Sequence, residues 1–491
     1  MMKAPNRPAL SRRLALLARS AHARATLIFV SALAIMVVPG TAEAKDPQPV
    51  AATVVNALPG QSAALKVGAA KVDVTPDAAA LPKNFQGVLD PIYARAIVVD
   101  DGVSRAAMVT IDAGAIPTPL WQRVTARAAR ELAIPADHIL LTATHTHSVP
   151  FVRDVSYEER IHDALRKAAA AMRPARMAYG TGVSYINVNR NIIDPQTRRW
   201  WEGPNYDGPS DKTVAVLRFE TLSGAPIALY YNYGVHAVIT GTLDLVSGDI
   251  PGATSRYIEE SLGEDVVAVY SNGAAGDQNP IYFQQTYDLR AIRIKDYAAR
   301  GQDISNAMPP GGEGMDRTNP KVAMLMNQQK QMILSMGQML GEEVLHVARA
   351  ESERPVPAAR IAGLQKVVTC PGRKRLDAGR AGYAGTYEDA DPIDIQLSLL
   401  RIGDTVIGGV DAEIFTTIAQ RFKRESPLKH TMLTTLTNGM APSGYIPNDA
   451  AAAYNTFEVV SSRLKPGCAE TAIVDGLLSL IDQTGTQKPG R

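Results

Sequence analysis

The chain has 491 residues, 20% of them charged and 46% hydrophobic, which is ordinary globular composition with room for one large domain or two to three medium ones. Aromatic residues make up only 6%, and neither a low-complexity tract nor a repeat of roughly 20–50 residues occurs, which excludes a solenoid or a disordered chain. Lys and Arg number 51 against 49 Asp and Glu, a net charge of +2, and the two cysteines form no CxxC pair; general electrostatic attraction for nucleic acid and a thiolate zinc site are both excluded.

Residues 1–24 carry Lys3, Arg7, Arg12, Arg13, Arg19 and Arg24 and no acid, an apolar run follows at 25–38, and Ala42-Glu43-Ala44 closes the stretch. This layout predicts a secretory signal peptide over residues 1–44, cleaved near Ala44, and hence an exported protein, periplasmic or secreted. The apolar run is shorter than the roughly 20 residues of a membrane span, so an uncleaved anchor is the lesser alternative. Ser11-Arg12-Arg13-Leu14 leaves twin-arginine export open, although the arginine pair lies far from the apolar run. Without the leader, 45 basic residues face 48 acidic ones, a charge of −3. Residues 45–65 read as a linker, 66–485 as the folded domain and 486–491 as a tail; no segment after the leader is apolar enough to cross a bilayer.

Within the folded part, short apolar and β-branched runs predict strands at 96–99, 106–111, 138–142, 214–219, 227–231, 266–269, 406–410 and 432–436. Helical patterns fall between several of them, at 120–132, 157–172, 255–262, 322–350 and 414–424. Strands alternating with helices argue for an α/β layer architecture. The polar segment 284–320, with Pro309-Pro310-Gly311-Gly312 near its end, interrupts this rhythm and reads as a lid insertion or, alternatively, a surface excursion. The helix after it, with Met324, Met326, Met332, Met336 and Met339, reads as core packing rather than a lipid cradle. Cys370 and Cys468 are either one disulfide or two separate buried thiols.

Polar clusters follow five of the strands: Thr144-His145-Thr146-His147, Asn232 through His236, Ser271-Asn272-Gly273, Asp411-Ala412-Glu413, and Asn438-Gly439. Sites in α/β sheets form outside the carboxyl ends of strands, so the five together suggest one shared site. A strand continuing through His145 and His147 would point both imidazoles to one side. Two histidines from different strands with a carboxylate would suit a hydrolytic zinc with an open vertex. The competing reading is hydrogen-bonded loop histidines, and spacing alone nominates no carboxylate.

Ten segments, in order, are 67–76 (VGAAKVDVTP), 90–95 (DPIYAR), 142–148 (TATHTHS), 187–190 (NVNR), 211–213 (DKT), 232–236 (NYGVH), 247–249 (SGD), 272–280 (NGAAGDQNP), 413–417 (EIFTT) and 444–446 (GYI). In these the chain resembles the catalytic domain of the neutral/alkaline, non-lysosomal ceramidase family, over most of 67 to about 458. The resemblance implies a single catalytic domain of mixed β-sheets flanked by helices. It also implies a zinc ion held by His145, His236, Glu413 and Tyr445, which activates water to cleave an N-acyl amide such as ceramide. By the same resemblance His147 passes a proton or stabilises charge on the carbonyl oxygen, and Arg190 faces the substrate's polar end. Asp249 and Asp277 either orient ligands or serve as a helix-entry cap and a turn former. Asn279 stands where the family's Gly-Asp-x-Ser-Pro segment carries a serine; its amide could donate to an oxyanion but cannot act as a nucleophile. No counterpart of the family's carboxyl-terminal β-sandwich follows Leu477-Leu478, as in a short bacterial-type member. The partner implied is a small-molecule or lipid amide, with peripheral membrane contact as an option; oligomeric state stays open. The other readings are a zinc hydrolase of a non-lipid amide or ester, and a non-catalytic ligand-binding protein on the same scaffold.

Overall fold

The computed structural model describes residues 64–150, 155–304, 315–377, 379 and 381–485. The leader, residues 45–63 of the linker, the stretch 305–314 of the 284–320 segment, and the tail lie outside the described residues.

Eight strands form one mixed sheet in the order Val267–Asn272, Pro226–Tyr233, Thr213–Thr221, Arg173–Val183, Lys66–Asp73, Tyr93–Asp100, Arg105–Ile111, Ile139–Ala143. Both end strands run parallel to their neighbours and the inner pairs are antiparallel. Lys66–Asp73 pairs along its whole length with Tyr93–Asp100. With Arg173–Val183 it pairs only at Lys66 and Val67, opposite Pro174 and Arg173. The sheet turns a corner there, and its halves fold face to face over one core: Ile97, Val99 and Met108 from one half meet Leu217, Phe219 and Val269 from the other. Thr110 Oγ1 donates to the carbonyl of Tyr270 at 2.5 Å, joining strands from opposite halves.

A four-stranded sheet, Ile361–Arg375, Tyr387–Ile402, Thr405–Val410 and His430–Thr434, closes the third side of this core through Leu400, Ile407 and Met432. Helices cover the outer faces. Thr118–Leu132 and Val155–Ala170 pack on the first half through Leu120, Val124, Ile161 and Leu165. Asp249–Leu262 and Pro320–His346 cover the second through Ile250, Ile258, Met336 and Leu340. Thr416–Glu425 and Ala469–Gln483 cover the four-stranded sheet. Strands buried on both faces have no polar side to show, which is why the predicted strands read as continuous apolar runs. Each fully buried Val, Leu or Ile contributes about 1.5–3 kcal/mol.

The α/β class with helix-flanked mixed sheets is thus observed, and each of the eight predicted strand positions overlaps an observed strand. The segment 284–320, read as a lid insertion or a surface excursion, begins with a helix. Gln284–Ala299 is a helix whose polar look follows from its shallow burial, with Thr286, Leu289 and Arg293 inward. In the methionine-rich helix, Met326 and Met336 are core residues, while Met324 and Met339 are half exposed. No helix among the described residues is long and apolar enough to cross a membrane.

Cys370 and Cys468 are bonded to each other, with Cα atoms 5.8 Å apart and a sequence separation of 98. The bond ties the start of the last helix to the strand Ile361–Arg375. Replacing both cysteines with serine is predicted to lower unfolding free energy by about 4.7 kcal/mol, the loop-closure value for a crosslink of this span. Chemical denaturation checks this; an unchanged midpoint would mean that the bond adds nothing.

Candidate metal centre and its cavity

Because the sheet folds back on itself, the carboxyl end of Ile139–Ala143, at one end of the strand order, comes beside that of Pro226–Tyr233 from the opposite half. The backbone N–H of His147 donates to the carbonyl of Ala237 at 3.0 Å, joining the two exits. The strand does not continue through the histidines: it stops at Ala143, and His145 has φ of +65°. A non-glycine residue in the left-handed region is uncommon and costs conformational energy. The turn at His145, rather than strand alternation, brings Nε2 of His147 to 3.3 Å from Nε2 of His145.

The third component comes from the four-stranded sheet. After Thr405–Val410 the chain forms a two-residue parallel ladder in which Glu413 stands opposite Tyr445 and Ile414 opposite Ile446. Gly276 N–H donates to the Ile414 carbonyl at 2.9 Å. A Cβ at Gly276 would lie 2.7 Å from that oxygen, so only glycine allows the approach. Asp277 Oδ1 accepts from the Thr416 N–H at 2.9 Å, and its Oδ2 accepts from Asn189 Nδ2 at 3.0 Å. Burial pushes the Asp277 carboxyl up to about 6.

Glu413 Oε2 lies 3.0 Å from His145 Nε2 and 3.1 Å from His236 Nε2. Each imidazole meets a backbone carbonyl with its other nitrogen: His145 Nδ1 with Gly114 O at 2.7 Å, and His236 Nδ1 with Gln278 O at 3.1 Å. A carbonyl can only accept, so Nδ1 carries the proton in both rings. In the neutral rings both Nε2 lone pairs then point at the same carboxylate oxygen. Acceptors facing one another at this range require a cation between them. A proton meets part of the demand: burial lowers the His145 pKa, but the charge and hydrogen bond of Glu413 outweigh it and the net shift is upward. Burial likewise raises Glu413, yet the two histidines hold it well below its ordinary value. Burial and the charge of Arg190 push His236 down to about 4.

A metal ion meets the whole demand. Ligands about 2.0–2.2 Å from a tetrahedral zinc stand roughly 3.3 Å from one another, and the 3.0 and 3.1 Å contacts of Glu413 with His145 and His236 lie close to that spacing. The ligand nitrogens of His145, His147 and His236 all lie within 4.8 Å of one another and could hold a metal ion. Carbonyls fixing the outer nitrogens are the usual support for metal-binding histidines. His145 and His236 are buried, whereas His147 opens onto the cavity. The enclosing walls and the two adjoining imidazoles hold His147 well below its ordinary pKa. Tyr445 is 8% exposed with its ring 6.4 Å from that of His236, and burial together with the Glu413 charge keeps its phenol well above the usual value.

The cluster floors a cavity of about 610 Å³, within the range of small-molecule sites. Val238, Phe283, Leu436, Met440, Pro442 and Phe457 supply apolar wall. Arg190, Glu202, Asn279 and Arg290 form a polar side. Arg190 Nε donates to Glu458 at 2.6 Å, Nη2 to the Gly276 carbonyl at 2.7 Å and Nη1 to Asn279 Oδ1 at 3.4 Å. The Asn279 amide nitrogen is directed at Glu202 Oε1, 3.0 Å, and the Tyr287 hydroxyl, 3.3 Å. Asn279 thus directs its amide nitrogen at two acceptors and braces Arg190 through its Oδ1.

Of the five polar strand exits, those at His145–His147, His236 and Asp411–Glu413 reach the cavity. The other two are structural. Asn272 accepts from the Tyr270 hydroxyl, and Asn438 bonds Ile139, Leu141 and Ser398. Asp249 Oδ2 accepts from the Thr240 N–H and hydroxyl, and Thr240 in turn accepts from Ser148, so it braces the loop beside His147. Sequence reasoning missed Glu202, Arg290 and Glu458. Glu458 carried one signal: a lone carboxylate inside Phe457-Glu458-Val459-Val460.

The family model for neutral/alkaline non-lysosomal ceramidase, N-terminal, matches residues 66–346. Neutral ceramidase A of Dictyostelium discoideum is 28% identical over 222 residues, covering 38% of this chain and 30% of that protein. The neutral ceramidase of Drosophila pseudoobscura pseudoobscura is 24% identical over 258 residues, 45% of this chain and 36% of that one. These alignments span about a third of the length of the curated relatives. Among solved structures, a ceramidase complexed with C2 superposes with a TM-score of 0.64 at 17% identity, covering 87% of this chain and 77% of that one. The neutral ceramidase from Pseudomonas aeruginosa gives 0.62 at 16%, covering 88% and 76%. With its match running from the first strand of the eight-stranded sheet to the end of the long methionine-rich helix, the chain belongs to the neutral/alkaline non-lysosomal ceramidase family.

Proposed function

We propose that this protein is an exported zinc-dependent hydrolase that cleaves an N-acyl amide, ceramide or a related lipid amide, by metal-activated water. The observation that carries the reading is the meeting of two Nδ1-protonated imidazoles and one carboxylate oxygen at 3.0 and 3.1 Å, a donor set that a divalent cation suits. Family membership and the names of the relatives support the substrate class. So does a cavity with an apolar wall beside a polar floor, which suits an acyl chain attached to an amide. The Cys370–Cys468 bond supports export, because disulfides persist in oxidising compartments.

His145, His236 and Glu413 would hold the ion, with Tyr445 opposite Glu413 in the ladder as the fourth candidate. Bound there, zinc lowers the pKa of a coordinated water to about 7 and polarises a carbonyl. The remaining work falls to the chain's own groups. His147, at the cavity surface with Nε2 toward the cluster, hands a proton from the attacking water to the leaving amine. Arg190, fixed by Glu458, Gly276 and Asn279, presents a rigid guanidinium edge to the polar end of the substrate. The apolar wall excludes water around the acyl group. Asn279, where the family segment has serine, favours a second reading: the same centre acting on a non-lipid amide or ester.

Purified protein is expected to hold about one zinc per chain, and a His145→Ala, His236→Ala double variant to lose it. Metal analysis decides, and full retention in the variant would remove these ligands from the account. A fluorescent N-acyl sphingosine incubated with the zinc-loaded protein is expected to release fatty acid. Turnover of simple amides or esters alone would promote the second reading, and failure on both with zinc bound would promote a binding protein.

A further inference from the structure

Glu458 takes no part in the chemistry above and does not line the cavity. It sits in the short helix Phe457–Ser461 and is fully buried. One carboxylate oxygen accepts from Arg190 Nε at 2.6 Å; the other makes no hydrogen bond among the described residues. Arg190 is itself 4% exposed, with the rings of Tyr445 and Phe457 at 5.3 and 5.8 Å from its guanidinium. Burying such a pair is costly, and apolar residues of similar size often serve stability as well or better. A half-satisfied buried carboxylate is therefore weak as a packing device, and its charge asks for another use.

The surroundings supply one. Arg190 lines the same cavity as His236 and Glu413 and lies over the ring of Tyr445, the residue paired with Glu413. Its guanidinium lies 5.3 Å from the centre of the Tyr445 ring, which lies 6.4 Å from the His236 ring, so its charge repels any positive charge held at the cluster. A divalent ion held by these ligands would feel the same repulsion in a site that little water screens. Glu458 is the carboxylate hydrogen-bonded to Arg190, with the charge of Glu202 also acting on it, while Gly276 and Asn279 offer neutral oxygens.

We propose that Glu458 is a positioning residue whose negative charge cancels that of Arg190, letting a guanidinium and a divalent cation share one cavity. The inference rests on the zinc reading given under Proposed function. Competition against a chelator measures it, comparing wild type with Glu458→Gln, Arg190→Gln and the double variant, each checked for folding by circular dichroism. Glu458→Gln keeps the size of the side chain and an oxygen for Arg190 but removes the charge, so zinc affinity should fall about tenfold or more. The double variant, with both charges gone, should recover most of the loss. Arg190→Gln alone should bind zinc at least as tightly as wild type, and this arm stands even where Glu458→Gln does not fold. Undiminished affinity in Glu458→Gln, a double variant no better than that single one, or zinc loss in Arg190→Gln would each overturn the proposal. A wild type that binds no zinc would instead strike the zinc reading itself, and this inference with it.

Discussion

Two imidazole nitrogens that have already committed their protons elsewhere point at one carboxylate oxygen, and the rest of the site follows from that arrangement. The commitment is made by Gly114 and Gln278, whose carbonyls leave His145 and His236 no choice of tautomer. Lone pairs gathered at 3.0 and 3.1 Å are repulsive unless something positive sits among them. A proton shared between them meets part of that demand, in line with the upward shift of His145 and the downward shift of Glu413. The arrangement is thus one that a cation suits.

The fold makes that convergence affordable by closing the large sheet on itself. His145 and His236 leave strands from opposite halves of an eight-strand order, and they meet only because the sheet turns its corner at Lys66 and Val67. The carboxylate arrives from a separate sheet, held by the ladder with Tyr445 and by the close approach of Gly276 to Ile414. Three independent packing units therefore fix one cluster. Residues that look incidental, such as Asp277 bridging Thr416 and Asn189, act as braces between those units.

Much of this was legible in the chain, and for identifiable reasons. Strands buried on both faces announce themselves as apolar runs, so the sheet cores were readable. Arg173–Val183 and the long hairpin Ile361–Arg375 with Tyr387–Ile402 were not, because their exposed stretches carry polar and charged residues. The His-x-His pair was recognisable as a candidate site, but its geometry was misjudged: the left-handed turn at His145 replaces the extended strand, and no local pattern signals a non-glycine residue there. Glu413 could be nominated only through likeness to a family, since its partners are 268 and 177 residues away. Asn279 was read from its place in a motif as able to donate to an oxyanion, and its neighbours Glu202 and Tyr287 become visible only in three dimensions. The alternatives left open for the cysteines were resolved by proximity, which composition does not encode.

Function in this account comes from a charge balance set inside an apolar-walled cavity. Arg190 and Glu458 neutralise each other, Arg290 and Glu202 do likewise at 3.3 Å, and the cation-seeking cluster remains as the reactive feature of the floor. Anomalous diffraction from zinc-soaked crystals at the zinc absorption edge tests the central claim most directly. The account predicts one strong peak about 2.0–2.2 Å from His145 Nε2, His236 Nε2 and a Glu413 carboxylate oxygen. A peak elsewhere, or none with the imidazoles still on the carboxylate, would mean that protons alone hold the cluster together.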